Sequence, residues 1–276
     1  MTYGIPAYKL PRDVVEAEID ILRELGVEIR CGVDVGKDVT LDSLRDEGFK
    51  AFYLAIGAQG SRPLGVEGED AQGVSGALSF LRETIEADVV GNACEVADEV
   101  VVVGGGNVAV DAVRCARRLG AETIMVYRRT IAEAPARRDE IAHTYEEDIP
   151  IRELTNPVAC YGENGVLTGV KCEKMALGEP DASGRRRPVG TGEFFDVPCD
   201  NLVIATGTSY SEEVVDTTTG IQKDRWGGIA AGEDGQTSRP GVFAGGDAVT
   251  GPKTVVQAMG AGKRAAVSID KYLSER

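Results

Sequence analysis

Three small residues, Gly104, Gly106 and Ala109, follow a run of four valines (100–103) with the spacing GxGxxA. Four consecutive β-branched residues favour a strand that is buried on both faces. Glycines after such a strand permit a tight turn, and they let the backbone approach a pyrophosphate at the start of the next helix. The spacing therefore predicts a dinucleotide-binding turn.

The flanking sequence supports this interpretation, which the short motif alone would not. Apolar periodicity predicts a helix over residues 107–119 that ends at Gly120, and then a strand over residues 122–127. In an NAD-binding unit, an Asp or Glu near the end of that strand binds the ribose 2′-hydroxyl. Here the corresponding residues are Arg128 and Arg129.

A guanidinium group can bind a 2′-phosphate through paired hydrogen bonds, whereas a carboxylate would repel it. Arg128 and Arg129 therefore favour NADP(H) over NAD(H). Seven arginines and only two glutamates lie between residues 114 and 138, although the whole chain has a formal net charge of -15. The alternative interpretation is a pair of solvated surface arginines.

Composition limits the functions that the chain can have. Its 276 residues, 42% of them hydrophobic, suffice for two domains. The acidic balance argues against nucleic acid and anionic membranes as partners. No apolar stretch approaches the roughly 20 residues that span a bilayer, and the N-terminus lacks a signal-peptide pattern, so we expect a cytoplasmic protein.

The sequence predicts no catalytic side chain and no metal site. No two cysteines form a CxxC pair, so neither a zinc site, an iron–sulphur cluster nor a dithiol centre is indicated. We interpret most cysteines as small core residues, and His143 as a surface residue. The cysteines are Cys31, Cys94, Cys115, Cys160, Cys172 and Cys199.

Further elements follow from apolar periodicity and turn residues. Helices are predicted over 13–25, part of 37–50, 75–85, 135–147 and 255–273, and strands over 27–30, 51–57, 150–154, 166–175, 193–197 and 201–207. Residues 181–188 would form a polar hairpin tip with three solvated arginines, Arg185, Arg186 and Arg187. The last helix would bury Val255, Val256, Met259, Ala266, Ile269 and Leu273.

A second ligand signal lies in residues 237–247, where a threonine, a spacer and a short apolar strand precede Gly246 and Asp247. Many flavoproteins with two dinucleotide sites place such an aspartate on the ribityl hydroxyls of FAD. The alternative is that Asp247 only caps a turn. Three strands would then end at glycines, where ligand crevices form in α/β sheets.

Taken together, these motifs resemble the small, NADPH-oxidising subunit of glutamate synthase and its relatives, including ferredoxin-linked transhydrogenase subunits and the N-terminal half of dihydropyrimidine dehydrogenase. The resemblance rests on residues 3–6, 9–11, 104–111, 126–129, 135–137 and 242–247, which occur in the family's order. It implies an α/β fold with two Rossmann-like dinucleotide-binding domains, in which an NADP(H) domain interrupts an FAD domain. It also implies hydride transfer from NADPH to FAD and onward electron transfer to iron–sulphur clusters.

The resemblance also assigns site residues. The pyrophosphate of NADP(H) would be held by Gly104, Gly106, Asn107, Val108 and Ala109, and the 2′-phosphate by Arg128, Arg129 and Arg137. The nicotinamide side would be lined by Ala205, Thr206 and Gly207. FAD would contact Lys9, Gly57, Gly246, Asp247, Thr254 and Val255.

Family members begin with a cluster domain and a first βαβ unit that holds the ADP half of FAD, and this chain begins after both. We therefore expect a partial FAD domain (1–72), an NADP(H) domain (73–210) and the rest of the FAD domain (211–276), with weak or no FAD binding by the chain alone. The leading hypothesis is an NADPH-dependent flavin oxidoreductase module that serves a large catalytic or electron-transfer subunit, with a homo-oligomer as a further option. The alternative is a non-catalytic NADP(H)-binding subunit or fragment without stable FAD.

Overall fold

The computed structural model describes residues 1–89, 96–182 and 184–275. They form two compact units: unit 1 comprises Met1–Leu25 and Ser61–Gly207, and unit 2 comprises Gly26–Gly60 and Thr208–Arg276. The functional boundaries 1–72, 73–210 and 211–276 stay a prediction. Within the described ranges, no helix combines the length and apolar character that crossing a bilayer requires.

Helices and strands are interspersed along the described residues, and residues 151–209 contain strands in succession. The helices are α1 (Arg12–Glu24), α2 (Leu41–Asp46), α3 (Ala77–Val89), α4 (Asn107–Arg118), α5 (Arg138–Glu146), α6 (Glu213–Asp216), α7 (Asp247–Thr250) and α8 (Val255–Ser274). The strands are β1 (Phe52–Leu54), β2 (Gly60–Ser61), β3 (Val74–Gly76), β4 (Glu99–Val103), β5 (Glu122–Val126), β6 (Ile151–Arg152), β7 (Thr155–Glu163), β8 (Val166–Pro180), β9 (Arg186–Pro198), β10 (Asn201–Ile204), β11 (Thr208–Ser209) and β12 (Val242–Ala244).

Unit 1 is built around a five-stranded parallel sheet with the order β3-β10-β4-β5-β6. Its central strand β4 is buried on both faces, as the run of valines predicts. Val100 and Val102 pack into a core with α3 and α4, whereas Val101 and Val103 pack against the antiparallel sheet β7-β8-β9. The valine strand is therefore enclosed between a helical layer and a second sheet.

The N-terminal segment of unit 1 packs on α4 through partly buried charges. Lys9 forms ion pairs with Asp111 and with Glu140, the latter at 2.6 Å. The Tyr8 ring stacks against the guanidinium groups of Arg114 and Arg118, 4.7 and 4.1 Å from the ring centroid. Burial raises the pKa of the Asp111 carboxyl even though Lys9 opposes the shift. This segment is therefore held by electrostatic contacts as well as by packing.

One sequence prediction near the N-terminus is wrong. Residues 27–30 form no strand, since none of the strands among the described residues pairs with them, and Val27 and Ile29 are 50% and 45% exposed. Without a neighbouring strand, the backbone N–H and C=O groups of an extended segment form no hydrogen bonds of a sheet. The helix predicted over residues 13–25 does form as α1, and Val15 is its one buried residue.

Unit 2 contains the parallel pair β1-β12 and a core of apolar residues around it. Helix α8 packs on this unit through alanines: the Cβ atoms of Ala258, Ala261 and Ala265 lie 3.3, 3.0 and 3.0 Å from the positions that Cβ atoms of Gly246, Gly245 and Gly235 would take. The small residues on both sides bring the helix close to the backbone.

The apolar face predicted for α8 is therefore wrong. Ala266 is exposed and Ile269 half-buried, and the bulky residues Val255, Val256, Met259 and Leu273 are 44%, 79%, 58% and 41% exposed. Periodicity located the helix correctly but could not distinguish the alanine face that packs from the face with larger side chains.

We expect a pH-dependent loss of stability in Glu147→Gln. Burial would raise the pKa of Glu147, but hydrogen bonds from Arg114 (2.8 and 3.1 Å) and Arg118 (2.6 Å) lower it overall. Because the folded pKa is depressed, the carboxylate stabilises the fold above its unfolded pKa of about 4.3 and loses that effect as the pH falls through the folded value. The variant should lose about 1–3 kcal/mol at neutral pH.

Urea unfolding at neutral pH and near pH 4 would measure this difference. The difference in unfolding free energy between wild type and variant should be smaller near pH 4 than at neutral pH. The control Glu146→Gln changes an exposed neighbour in α5 and should leave the unfolding free energy unchanged at both pH values. A gap that is independent of pH would contradict the assigned role.

Candidate functional site

The predicted glycine turn lies at the carboxyl end of β4, in the middle of the parallel sheet. Gly104 has a φ of +151°, and the carbonyl oxygen of Ala205 is 2.5 Å from the position that its Cβ would take. On the other side, the Gly104 amide donates a hydrogen bond of 3.0 Å to the carbonyl of Val126. Any side chain at residue 104 would therefore collide with the end of the adjacent strand β10.

The next two glycines have different surroundings. A Cβ on Gly105 would lie 2.5 Å from the Tyr127 ring, whereas one on Gly106 would have only Pro135 Cγ nearby, at 3.9 Å. Gly106 is the N-cap of α4, and its backbone is extended. The space in front of Gly106 is therefore open for a ligand. The motif did not single out Gly105, which fills one of its variable positions.

Helix α4 begins at this turn with no side-chain cap. The first N–H groups of an α-helix lack intrahelical partners, and together with the helix dipole they favour an anion. Ala109 is fully buried, with its Cβ 3.2 Å from the Cβ position of Gly104, and it packs beneath the turn. The arrangement can bind a pyrophosphate through backbone donors.

Asn107 and Arg137 tie a neighbouring loop to the turn. The Asn107 side-chain oxygen accepts a hydrogen bond of 3.0 Å from the backbone amide of Arg137, and the Ala136 amide donates to the carbonyl of Gly105 at 3.0 Å. The exposed guanidinium of Arg137 pairs with Asp139, where Nε lies 3.0 Å from the carboxylate. To bind a phosphate, the Arg137 side chain would have to break its ion pair with Asp139.

The two arginines after β5 have opposite environments. Arg128 is exposed, and no hydrogen bond or ion pair within the described part of the chain engages its side chain. Arg129 is only 6% exposed; its Nε donates to the carbonyl of Arg186 at 2.7 Å, and its Nη2 lies 3.0 Å from Asp181. The sequence treats the two residues alike, whereas the fold leaves only one of them free to meet a ligand.

Residues 205–207 follow β10 on the other side of the glycine turn. The Ala205 amide donates a hydrogen bond to the carbonyl of Val103, and Gly207 has a φ of +143°. The amide of Arg62 donates to the Gly207 carbonyl at 3.2 Å, and Thr206 Oγ1 donates to the Arg62 carbonyl at 3.4 Å. Sequence reasoning missed Arg62, because no local spacing relates residues that are 144 positions apart.

The residues expected to contact FAD lie in unit 2, apart from Lys9. Gly57 and Gly246 have φ values of +71° and +65° and follow the ends of the paired strands β1 and β12. The Asp247 carboxylate accepts a hydrogen bond of 3.0 Å from the Lys253 amide. Thr254 caps α8 through a reciprocal pair of bonds with Gln257. Lys9 belongs to unit 1 and is engaged by Asp111 and Glu140.

The cysteines and the single histidine lie in different environments. Cys160, Cys172 and Cys199 are buried as expected, Cys115 is half-buried, Cys31 is exposed, and Cys94 lies outside the described residues. Burial raises the pKa of Cys172 to about 11 and that of Cys199 to about 12. These thiols are therefore protonated at neutral pH. His143 is exposed on α5, as predicted.

Comparison with curated proteins finds relatives whose names describe NADP(H)-dependent oxidoreductase subunits. It is 42% identical, over its full length and 39% of the relative, to the "NADP(+)-dependent formate dehydrogenase subunit beta" of Moorella thermoacetica. It is 36% identical to the "Glutamate synthase [NADPH] small chain" of Escherichia coli, over 99% of this chain and 61% of that one. The resemblance inferred from motifs is confirmed. The chain spans about two fifths of the first of these relatives.

Solved structures support the predicted α/β fold. The structure entitled "Mycobacterium tuberculosis FprA in complex with NADPH" matches 99% of this chain and 75% of its own, with a TM-score of 0.79 at 19% identity. A thioredoxin reductase from Lactococcus lactis covers 82% of this chain and 67% of its own, with a TM-score of 0.64 at 24% identity. The prediction of Rossmann-like architecture is confirmed.

One protein family accounts for both the sequence and the fold. The family described as "Pyridine nucleotide-disulphide oxidoreductase" matches residues 14–262, which is most of the sequence. Its name agrees with the dinucleotide-binding turn predicted at residues 104–109. The chain belongs to the pyridine nucleotide-disulphide oxidoreductase family.

Proposed function

We propose that unit 1 binds NADPH and that the chain is the hydride-accepting part of a flavin oxidoreductase that serves a partner subunit. The observation that carries this proposal is the exposed side chain of Arg128, which follows the strand paired with the strand of the glycine turn. Strand β5 pairs with β4, so residue 128 follows the strand beside the turn. A cation at this place matches the phosphate that distinguishes NADPH from NADH.

The turn fits the pyrophosphate of the same ligand. Gly106 is the one glycine of residues 104–106 whose missing Cβ leaves open space. A backbone that approaches phosphate oxygens needs this space, and α4 supplies N–H donors behind it. The relatives from Moorella thermoacetica and Escherichia coli carry NADP(+) and NADPH in their names, which agrees with this ligand.

Unit 2 offers the residues for the flavin side. The glycine-ended strands β1 and β12 run parallel, so Gly57 and Gly246 follow the same edge, and Asp247 begins the next helix. When bound, the nicotinamide supplies a hydride and the flavin accepts it. The task of the protein is then to orient the two rings and to exclude water. This chemistry requires no acid or base from the chain.

The flavin site needs further polypeptide in this proposal. In the described part of unit 2, β1 and β12 form a two-stranded sheet, which Gln236 extends by a single bridge to Phe243, and large apolar residues of α8 are exposed. A two-stranded sheet is marginally stable alone, and parallel sheets are normally covered on both faces. The same features favour the alternative that this chain binds NADP(H) without stable FAD.

Alanine substitutions in the turn should separate binding from folding. We expect Gly106→Ala to keep its melting temperature close to that of the wild type but to weaken NADPH binding at least tenfold, because the methyl group enters the open space. Gly104→Ala should instead lower the melting temperature, because its Cβ would meet the Ala205 carbonyl. Thermal unfolding and fluorescence titration measure the two effects. Unchanged NADPH affinity in Gly106→Ala would argue against the pyrophosphate site.

Removal of the free cation should change cofactor preference. We expect Arg128→Ala to weaken NADPH binding by about 1.5–3 kcal/mol, the typical value of a charged hydrogen bond, with little change for NADH. Lys263→Ala removes one positive charge from the exposed face of α8 and serves as the control. An equal loss for both cofactors would show that Arg128 does not bind the 2′-phosphate.

The native complex should reveal whether flavin chemistry is present. We expect the complex purified from its host to have a flavin absorption band that NADPH bleaches, and the Arg128→Ala complex to be bleached more slowly by NADPH but normally by dithionite. A colourless complex that still binds NADPH would favour the non-catalytic alternative.

A further inference from the structure

The β8–β9 hairpin extends past the rest of its sheet. Strand β7 pairs with β8 only between Val166 and Lys174, whereas β8 continues to Pro180 and is paired there with β9 alone. The distal part is thus a two-stranded ribbon with mostly exposed residues. Such ribbons are marginally stable in water, so this one depends on contacts at its tip. The hairpin tip is defined here as residues 181–182 and 184–187.

Arg129 supplies these contacts. Its guanidinium donates to the Arg186 carbonyl at the start of β9 and pairs with the Asp181 carboxylate, which follows β8. Asp181 also closes the turn: its amide donates to the Arg185 carbonyl at 2.7 Å, and its carbonyl accepts from Gly184 at 2.9 Å. One buried side chain therefore holds both strands of the ribbon.

The contacts also revise the sequence interpretation of the tip. Arg186 is not merely solvated, because its side chain donates to the carbonyls of Leu177 and Gly178 at 2.9 and 3.4 Å. Removing one partner of a buried ion pair destabilises a folded protein strongly. The guanidinium of Arg129 is thus committed to the hairpin, whereas its neighbour Arg128 is exposed.

We propose that Arg129 is a positioning residue, which with Asp181 fixes the hairpin tip beside the adenosine-phosphate end of the NADPH site, while Arg128 binds the phosphate. This inference rests on the proposed function for the identity of the cofactor. Arg129 is adjacent to Arg128 in the chain, so the tip it holds lies near the end of β5. The tip then acts as a wall of the cofactor site, and loosening it affects NADPH and NADH alike.

Two matched variants test the proposal, Arg129→Ala and Asp181→Ala, each measured by limited proteolysis and by cofactor titration. Trypsin can cleave the tip after Arg185 and Arg186, but not readily after Arg187, which precedes Pro188. We expect both variants to be cut there at least fivefold faster than the wild type, with fragments identified by mass. Both variants should also bind NADPH and NADH more weakly, by similar factors. Arg128→Ala should weaken the binding of NADPH alone and leave the cleavage rate unchanged.

Saturating NADPH should slow tip cleavage in the wild type, an effect that a purely structural ion pair would not produce. The proposal would be overturned if Arg129→Ala lost affinity for NADPH alone and Asp181→Ala lost no affinity, because Arg129 would then bind the phosphate directly. Unchanged cleavage in both variants would also overturn it. If the wild type bound neither cofactor, the proposed function would fail, while the cleavage measurements would still test the Arg129–Asp181 contact.

Discussion

The close approach of β10 to the glycine turn constrains most of unit 1. The Ala205 carbonyl occupies space that only a residue without a Cβ leaves free, and Gly104 also bonds to the end of β5. Three parallel strands therefore terminate at one point of the sheet. The amino end of α4 lies at that point, so backbone donors are presented there without a side-chain cap.

Charge in unit 1 is distributed between structural and free groups. Arg114, Arg118 and Arg129 are held by carboxylates or carbonyls of the same unit, and Lys9 neutralises Asp111 and Glu140. Arg128 and Arg62 are exposed cations at the carboxyl edge of the sheet. Two exposed cations thus remain at this edge in a strongly acidic chain, while the other cations named here are paired within unit 1.

Unit 2 illustrates packing through small residues. Alanines of α8 face glycines of the strand and loop region, and the helix comes close enough for backbone contact. Larger apolar residues of the same helix are directed away from the unit. The two faces of α8 therefore differ in the size of their side chains, which a hydrophobicity pattern does not register.

The sequence by itself determined the α/β class, the valine strand, the GxGxxA turn and the two arginines after β5, since these depend on local propensity and on backbone freedom at particular glycines. It also identified the family, because the motifs occur in a fixed order. Only the tertiary structure decided which arginine is buried, that Lys9 pairs with Asp111, that Arg62 meets Gly207 and that residues 27–30 form no strand. These outcomes depend on partners far away in the chain, and no local pattern encodes which of two equivalent side chains will find one.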